Sequence, residues 1–398
     1  MCKPTFIHFF IIIPQFCFCL IDGRLGKIDL STVLSATYDS HIIARSNSQF
    51  NQVQSSTELD QPDDIILRFS PVANYSKEFS LLYFGASAGV EIAKFMFNDE
   101  RSYTIPITSM TLDFDDTLSK SKNFSNNAKI RFYANFDVGQ EVGSDLIEGD
   151  LISYTFFRTG VGVRYNHSPK FGLGSSTNYE LREYQSGAIN SYNDDLETFP
   201  ITTSLFYIYS PKLDFSASHT LTKTKTSGSQ NTLANYTSHT YSLGANGTLT
   251  QKLSGQVSVG FTSLDYDNNQ LSNQTSITTA TSLNLVHNEK TSSYLSLSRS
   301  FSPTASSLVQ LTTNLAYNLS HRLNDRMTAR LGIFYTHSDI SQSSGQSFET
   351  SEKGFLAGVS RKINRIISSD FSYRFSKSKR YEDDFNHHIL TASLSGRF

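Results

Sequence analysis

The chain contains no tryptophan, few charges and, beyond its first nineteen residues, no cysteine. Each absence closes a door. Cys2, Cys17 and Cys19 are its three cysteines, so the rest of the chain has no disulfide framework. That suits export through an oxidising compartment without reliance on disulfides. Charged residues make up 18%, below the roughly 25% of ordinary soluble domains. A net charge of -2 gives no basis for a nucleic-acid or acidic-polymer partner. Past the N-terminus no apolar run approaches the ~20 residues of a spanning helix. Nor does any stretch after residue 25 sustain the i, i+3, i+4, i+7 pattern of an amphipathic helix.

What is present is aromatic and hydroxylated. Phe (30) and Tyr (20) supply an aromatic content of 13%, and the hydrophobic fraction is 38%. Much of the remainder is Ser, Thr and Asn. A transmembrane β-barrel has this composition because only every second residue must be apolar.

Residues 1–23 read as a signal peptide: Lys3, then apolar stretches from Phe6 to Ile13 and from Phe16 to Ile21. Cleavage is expected after Cys19 or Gly23, although no Ala-x-Ala site exists. Pro14 and Gln15 count against an uncleaved anchor helix, and bulky Phe16 and Phe18 against a lipoprotein signal. Residues 24–398 are then expected to form a single barrel.

Alternation with a period of two recurs along that length. Val309, Leu311, Leu315, Tyr317 and Leu319 share a face opposite Gln310, Thr312, Asn314 and Asn318. Ile130, Phe132, Ala134, Phe136 and Val138 oppose Lys129, Arg131, Asn135 and Asp137. Leu331, Ile333 and Tyr335 oppose Arg330 and Thr336, and Phe371, Tyr373 and Phe375 oppose Asp370 and Arg374. Strands are predicted at 28–39, 64–75, 78–97, 102–115, 127–142, 150–166, 171–185, 197–210 and 212–226. They continue at 235–250, 252–267, 274–288, 290–302, 307–321, 325–339, 349–363, 366–379 and 385–398.

Alternation alone fits a soluble sandwich as well. The connections discriminate. Counted back from Phe398, every second one is mostly short, such as Lys362-Ile363-Asn364, Asn288-Glu289-Lys290 and Ser210-Pro211-Lys212. The intervening ones, such as 40–63, 186–196, 227–234 and 340–348, are longer and rich in Ser, Gly, Asn and Gln. Short periplasmic turns alternating with longer external loops mark a bacterial barrel. The expectation is an all-β, antiparallel, up-and-down transmembrane β-barrel of about 16–18 strands in the outer membrane. Its lipid-facing positions include Ile130, Phe132, Leu311, Leu315, Leu331 and Phe371.

Leu390, Ala392, Leu394 and Phe398 share one face of the last strand. The terminal Phe398 resembles the signal that the barrel-assembly machinery reads in outer-membrane proteins, though Gly396 stands where an aromatic is frequent. Ala36-Thr37-Tyr38-Asp39-Ser40-His41-Ile42 and Phe69-Ser70-Pro71-Val72 resemble an early Tyr-Asp-Ser turn and a Pro-bearing second strand of the β-barrel porin-2 group. The turns at Pro169 and Pro211 are similar to that family's. This resemblance implies a barrel, in some members linked with exopolysaccharide export, and carries over no catalytic residue.

Candidate chemistry is sparse. Gly160-Val161-Gly162 and Gly172-Leu173-Gly174 are too short for a phosphate loop, and strand glycines more often make room for a neighbour. His387 and His388 are adjacent and point to opposite faces of a strand. Asp113, Asp115 and Asp116 read as solvated edge charges rather than a calcium site. His219, His239, His287, His321 and His337 are scattered, with no nucleophile set beside a base in sequence. No metal or cofactor is therefore expected.

The inward polar phase is more informative. It carries Lys129, Arg131, Asp137, Glu141, Arg158, Arg164, Glu180, Arg182, Arg330, Asp370, Arg374 and Arg397 as expected pore-lining residues, eight bases against four acids. The reading is a porin-like channel for small hydrophilic solutes, with a mild anion preference and a link to polysaccharide export as the family's suggestion. Outer-membrane lipid and the assembly machinery are its other expected partners. Two alternatives stay open: a non-conducting structural or adhesive barrel, with 40–63 as its contact surface, and an outer-membrane hydrolase.

Overall fold

In lipid no backbone polar group can stay unpaired, so a sheet of such strands must close on itself. The computed structural model shows that closure. It describes residues 21–23, 25–53, 59–115, 129–185, 193–227, 235–268, 272–306, 308–341, 347–380 and 383–398. The signal expectation over residues 1–20, and Asp116, lie outside these.

The strands are β1 (Ile21–Gly23), β2 (Gly26–Asp39), β3 (Asp64–Glu78), β4 (Leu82–Phe95), β5 (Tyr103–Asp115), β6 (Ile130–Asp145), β7 (Asp150–Asn166), β8 (Phe171–Tyr184) and β9 (Asp195–Ser210). There follow β10 (Leu213–Ser227), β11 (Tyr236–Thr248), β12 (Leu253–Tyr266), β13 (Gln274–Asn288) and β14 (Thr291–Pro303). The last are β15 (Val309–Arg322), β16 (Met327–Ser341), β17 (Ser347–Lys362), β18 (Ile367–Arg380) and β19 (Asp383–Arg397). Each of β2 to β19 pairs antiparallel with its sequence neighbours, and β19 returns to β2, for example Ala392 to Ala36. Backbone bonds between Phe398 and Leu30, at 2.8 and 3.1 Å, finish that seam. The ring therefore has eighteen strands, the upper end of the sequence expectation.

Three short elements escaped the sequence reading, one of them a single 3-10 turn at Asp99–Arg101. β1, inside the segment read as signal, adds a three-residue edge to β2. A seven-residue helix, α1 (Asn47–Val53), occupies the connection after β2. Seven residues are too few to show a helical period.

Pairing register fixes which side chains share a face. Leu315 lies opposite Leu297 and Tyr335, whereas Asn314 lies opposite Ser298 and Thr336. The outer face is apolar and bare: Leu205, Tyr209, Leu243, Ile277, Leu331, Ile333 and Phe371 are all exposed. Ile130, Phe132, Leu315, Leu331 and Phe371 are among its exposed residues, and Leu311 is half-buried on the same face. Buried apolar clusters are few. The larger joins Ile42, Ile43, Phe50, Leu59, Ile66, Ala93 and Phe95. It seats the β2–β3 connection, and fully buried Asp64 accepts three backbone N–H groups from residues 96–98 beside it.

One end of the ring carries both Gly26 and Phe398 together with most of the short turns; the 116–129 connection, also at that end, is long. By the usual pattern of bacterial barrels this end faces the periplasm. The opposite end carries the 40–63 connection, but also the short turn 146–149, and only two residues separate β18 from β19 there. The expected length contrast is thus real at the periplasmic end and weaker at the other.

Candidate functional site: the inner wall

Because side chains alternate across each strand, the polar phases of β2 to β19 converge on one lumen. Its charges are organised in ion pairs. Arg158 on β7 is the hub: Nε donates to Glu180 Oε1 on β8 at 2.9 Å. Its terminal nitrogens reach Glu141 at 3.4 Å and Asp137 at 3.9 Å on β6. Glu180 Oε1 also accepts from Arg182 Nε at 2.6 Å. The planar guanidinium of Arg158 lies 4.1 Å from the Phe156 ring centroid, a cation–π contact. Tyr154 hydrogen-bonds Glu141 and lies under Arg182. Nearer the periplasmic end, Arg131 faces Asp115 at 3.6 Å. Arg164 reaches across β8 and β9 to Asp214 at 2.6 Å, over the Phe206 ring. Small Gly174 and Ser204 lie in its path; these two arginines and Phe206 line a recess of about 410 Å³.

A second group lies across the ring. Arg330 on β16 pairs with Asp370 on β18, passing over Gly358 of β17. Arg374 binds Glu352 at 2.9 Å and stacks on Phe334. Arg397 grips Asp29 with two bonds of 2.7 and 2.9 Å. Lys129, exposed, immediately precedes β6.

Apart from Lys129, the residues expected to line the pore therefore fall into ion pairs, and four acids complete them: Asp29, Asp115, Asp214 and Glu352. Sequence reasoning missed three of these and took Asp115, whose side chain is 16% exposed beside Arg131, for a solvated edge charge. It also missed the Arg68–Glu91 pair, whose carboxylate is bonded by Tyr103 at 2.9 Å. The signal was available in the strand phase: each acid stands on the polar alternation of its own strand. With them, eight acids face the eight bases of the original count.

The inner faces of β11 to β15 are different. Between Tyr236 and Ser320 the described inward positions hold no Asp, Glu, Lys or Arg. Hydroxyls pair across strands instead: Thr240 with Thr262 at 2.8 Å, Thr262 with Thr278 at 3.2 Å. The run extends to both sides, with Ser204–Ser218 at 2.8 Å and Thr312–Ser338 at 2.9 Å.

The glycines play the spatial role anticipated for them. A Cβ on Gly162 would come within 2.2 Å of the Tyr133 ring. The described histidines do not assemble a catalytic relay. His387 binds Asp39 at 2.6 Å on one face, and His388 binds Tyr373 at 2.8 Å on the other. Ser40 and His41 are 2.9 Å apart, as are Ser293 and His287. Among the described residues no imidazole bridges a hydroxyl and a carboxylate. His219 and His239 stack with Tyr241 on the outer face. His337, Asp339 and Glu349 bring ligand atoms within 4.8 Å of one another. That group lies on the outer face too, aligned with Tyr335, and its imidazole already hydrogen-bonds Asp339 at 3.1 Å.

With a closed, eighteen-strand, polar-lined barrel in view, comparison with known proteins becomes informative. The model of the family described as "Putative beta-barrel porin 2" matches residues 138–398. The chain belongs to that family. No curated protein matches it. Among solved structures it is similar to OccK2 (OpdF) of Pseudomonas aeruginosa, solved in complex with glucuronate, at TM-score 0.50 and 11% identity, covering 94% of this chain and 98% of that one. OpdK of the same organism gives TM-score 0.48 at 10% identity, covering 93% and 99%. The ferric-catecholate receptor Fiu of E. coli gives 0.46 at 9%, covering 96% and 82%. At such identities the likeness to OccK2 speaks to fold alone. Family and fold together place this porin-like barrel in the outer membrane and point to a channel rather than an enzyme.

Proposed function

We propose that the barrel is a passive pathway for small hydrophilic solutes. The observation that carries this is the inner wall itself: paired charges on one arc and unpaired-charge-free hydroxyls on the other, in a ring of eighteen strands. Barrels of 16–18 strands enclose an aqueous lumen, whereas eight-stranded ones fill with side chains. Because every arginine of the expected pore-lining set has a carboxylate partner, we take its ion selectivity to be weak, less anion-favouring than eight bases against four acids implied. The Ser, Thr and Asn lining of β11 to β15 offers donors and acceptors without charge. That suits neutral polyhydroxylated solutes, and it is the feature on which a link to saccharide passage rests. Phe398 is proposed as the residue read during assembly, on lipid-side alternation with Leu390 and Leu394.

The test is single-channel recording of purified protein in planar bilayers, with liposome swelling in small sugars. Stepwise conductance, a reversal potential near zero in a salt gradient and sugar entry are expected. A second reading, a non-conducting barrel, is favoured by one observation, the bonded bridge across the mouth described next. Silent bilayers together with sugar-tight liposomes decide for it.

A further inference from the structure

The turn between β6 and β7, residues 146–149, is bonded to partners it cannot reach along the wall. Arg380, at the end of β18, donates from Nε to Ile147 O and from its terminal nitrogen to Glu148 O, both at 3.0 Å. Ser306, between β14 and β15, donates its N–H and its hydroxyl to Glu148 Oε1 at 3.1 and 2.8 Å. Arg45, in the β2–β3 connection, donates to Gly149 O at 2.7 Å. β18 is six strand positions from β6 around the ring, and β14 is seven from β7. At 4.7–4.9 Å per strand the wall route is about 30 Å. These contacts therefore run across the opening. A further bond, Asp194 N to Ala305 O at 3.0 Å, crosses between the β8–β9 and β14–β15 connections.

The turn is built for this position. Asp145 caps it, accepting the N–H groups of Ile147 and Glu148 at 2.7 and 3.0 Å. Gly149 sits at φ +61, and a Cβ there would meet the Arg380 guanidinium at 2.7 Å. Only glycine gives both the left-handed turn and the room. Glu148 is 6% exposed although it belongs to a four-residue turn at the open end of a barrel.

We propose that residues 146–149 form a latch across the external mouth, held by Arg380, Ser306 and Arg45, and that its engagement sets how much solute passes. This rests on the porin reading above. Latched, the turn and its partners bridge the opening; released, the lumen opens at its full section. One strand end and two connections hold it, through side chains and the Ser306 N–H, so release requires no ladder bond to break.

The test joins the two sides reversibly. In the double variant Glu148→Cys with Ser306→Cys, a short, reducible bis-methanethiosulfonate reagent should couple the two positions in the folded membrane protein. Coupling is read by mass spectrometry of the linked peptides, with wild type treated alike to account for Cys2, Cys17 and Cys19. Coupled protein should show conductance reduced several-fold, restored by reduction. Arg380→Ala, which keeps both native partners, should independently raise conductance above wild type. Failure of the pair to couple, or equal conductance in the coupled and reduced states, overturns the latch while leaving the channel intact. Protein that couples but is silent in both states, with Arg380→Ala silent too, overturns the porin reading and the latch with it.

Discussion

The two arcs of the inner wall solve one problem in different ways. On β6 to β8 and β16 to β19 the chain sets charge beside charge, and each arginine of the pore-lining set there has a carboxylate on its own strand or on one up to three strands away. On β11 to β15 it uses hydroxyls, which satisfy one another across a single pair of strands. The first arc is specific and vulnerable: removal of one partner leaves the other uncompensated. The second is redundant, since each hydroxyl both donates and accepts. The charged arc should therefore govern selectivity and the hydroxyl arc should be nearly neutral to it.

The largest expected effect tests whether the hydroxyl arc has been assigned to the correct face. Leu315→Arg puts a charge into lipid near the midplane and should cost roughly 2–4 kcal/mol, whereas Asn314→Arg should cost little. Denaturant unfolding of barrel refolded in lipid vesicles measures both; similar losses at the two neighbours would erase the distinction between the faces. Next comes Arg397→Ala. It removes both guanidinium bonds from Asp29, whose side chain is 4% exposed, and leaves it Lys27 at 3.5 Å; it should cost about 1.5–3 kcal/mol in the same assay. Thr262→Val, in the other arc, removes one hydroxyl from a chain of three and should cost only about 0.5–1.5 kcal/mol.

Selectivity sharpens the contrast further. Glu180→Gln frees Arg158 and Arg182 from their shared oxygen and should move the reversal potential towards anions. Thr262→Val should leave it unmoved. A shift of similar size in both variants would show that the arcs do not differ in kind.

The smallest effect concerns pH at the mouth. Burial, with Asp145 nearby, pushes the Glu148 carboxyl above its ordinary range, against the Ser306 hydrogen bonds and Arg380. Asp150 on the same hairpin and Arg45 opposite complete the charges around the turn. A carboxyl raised in the latched state and ordinary in the released one favours latching below the ordinary carboxylate range. That advantage is lost as pH rises through the raised value. Conductance should accordingly fall modestly on acidification in wild type and stay flatter in Glu148→Gln.

Most of this barrel was legible in the chain because a period of two is a local property. Leu315 and Asn314 reveal their faces through their immediate neighbours, so strand limits agree with the sequence reading to within a few residues almost everywhere. The pairs were less legible. Arg164 and Asp214 are fifty positions apart, and Arg397 and Asp29 belong to opposite ends of the chain; their meeting depends on ring closure. The latch was illegible. Leu146 to Gly149 resembles an ordinary short turn, and only the crossing of the mouth gives Glu148 its partners.

One measurement bears most directly on the claim that a wet, polar lumen lies behind an apolar outer wall. A charged, membrane-impermeant methanethiosulfonate reagent is applied to cells or proteoliposomes carrying Asn314→Cys or Leu315→Cys, and labelling is read above the wild-type background. The expected result is rapid modification at position 314 and almost none at 315. Equal modification at both positions, or protection of 314 with labelling of 315, would contradict the account.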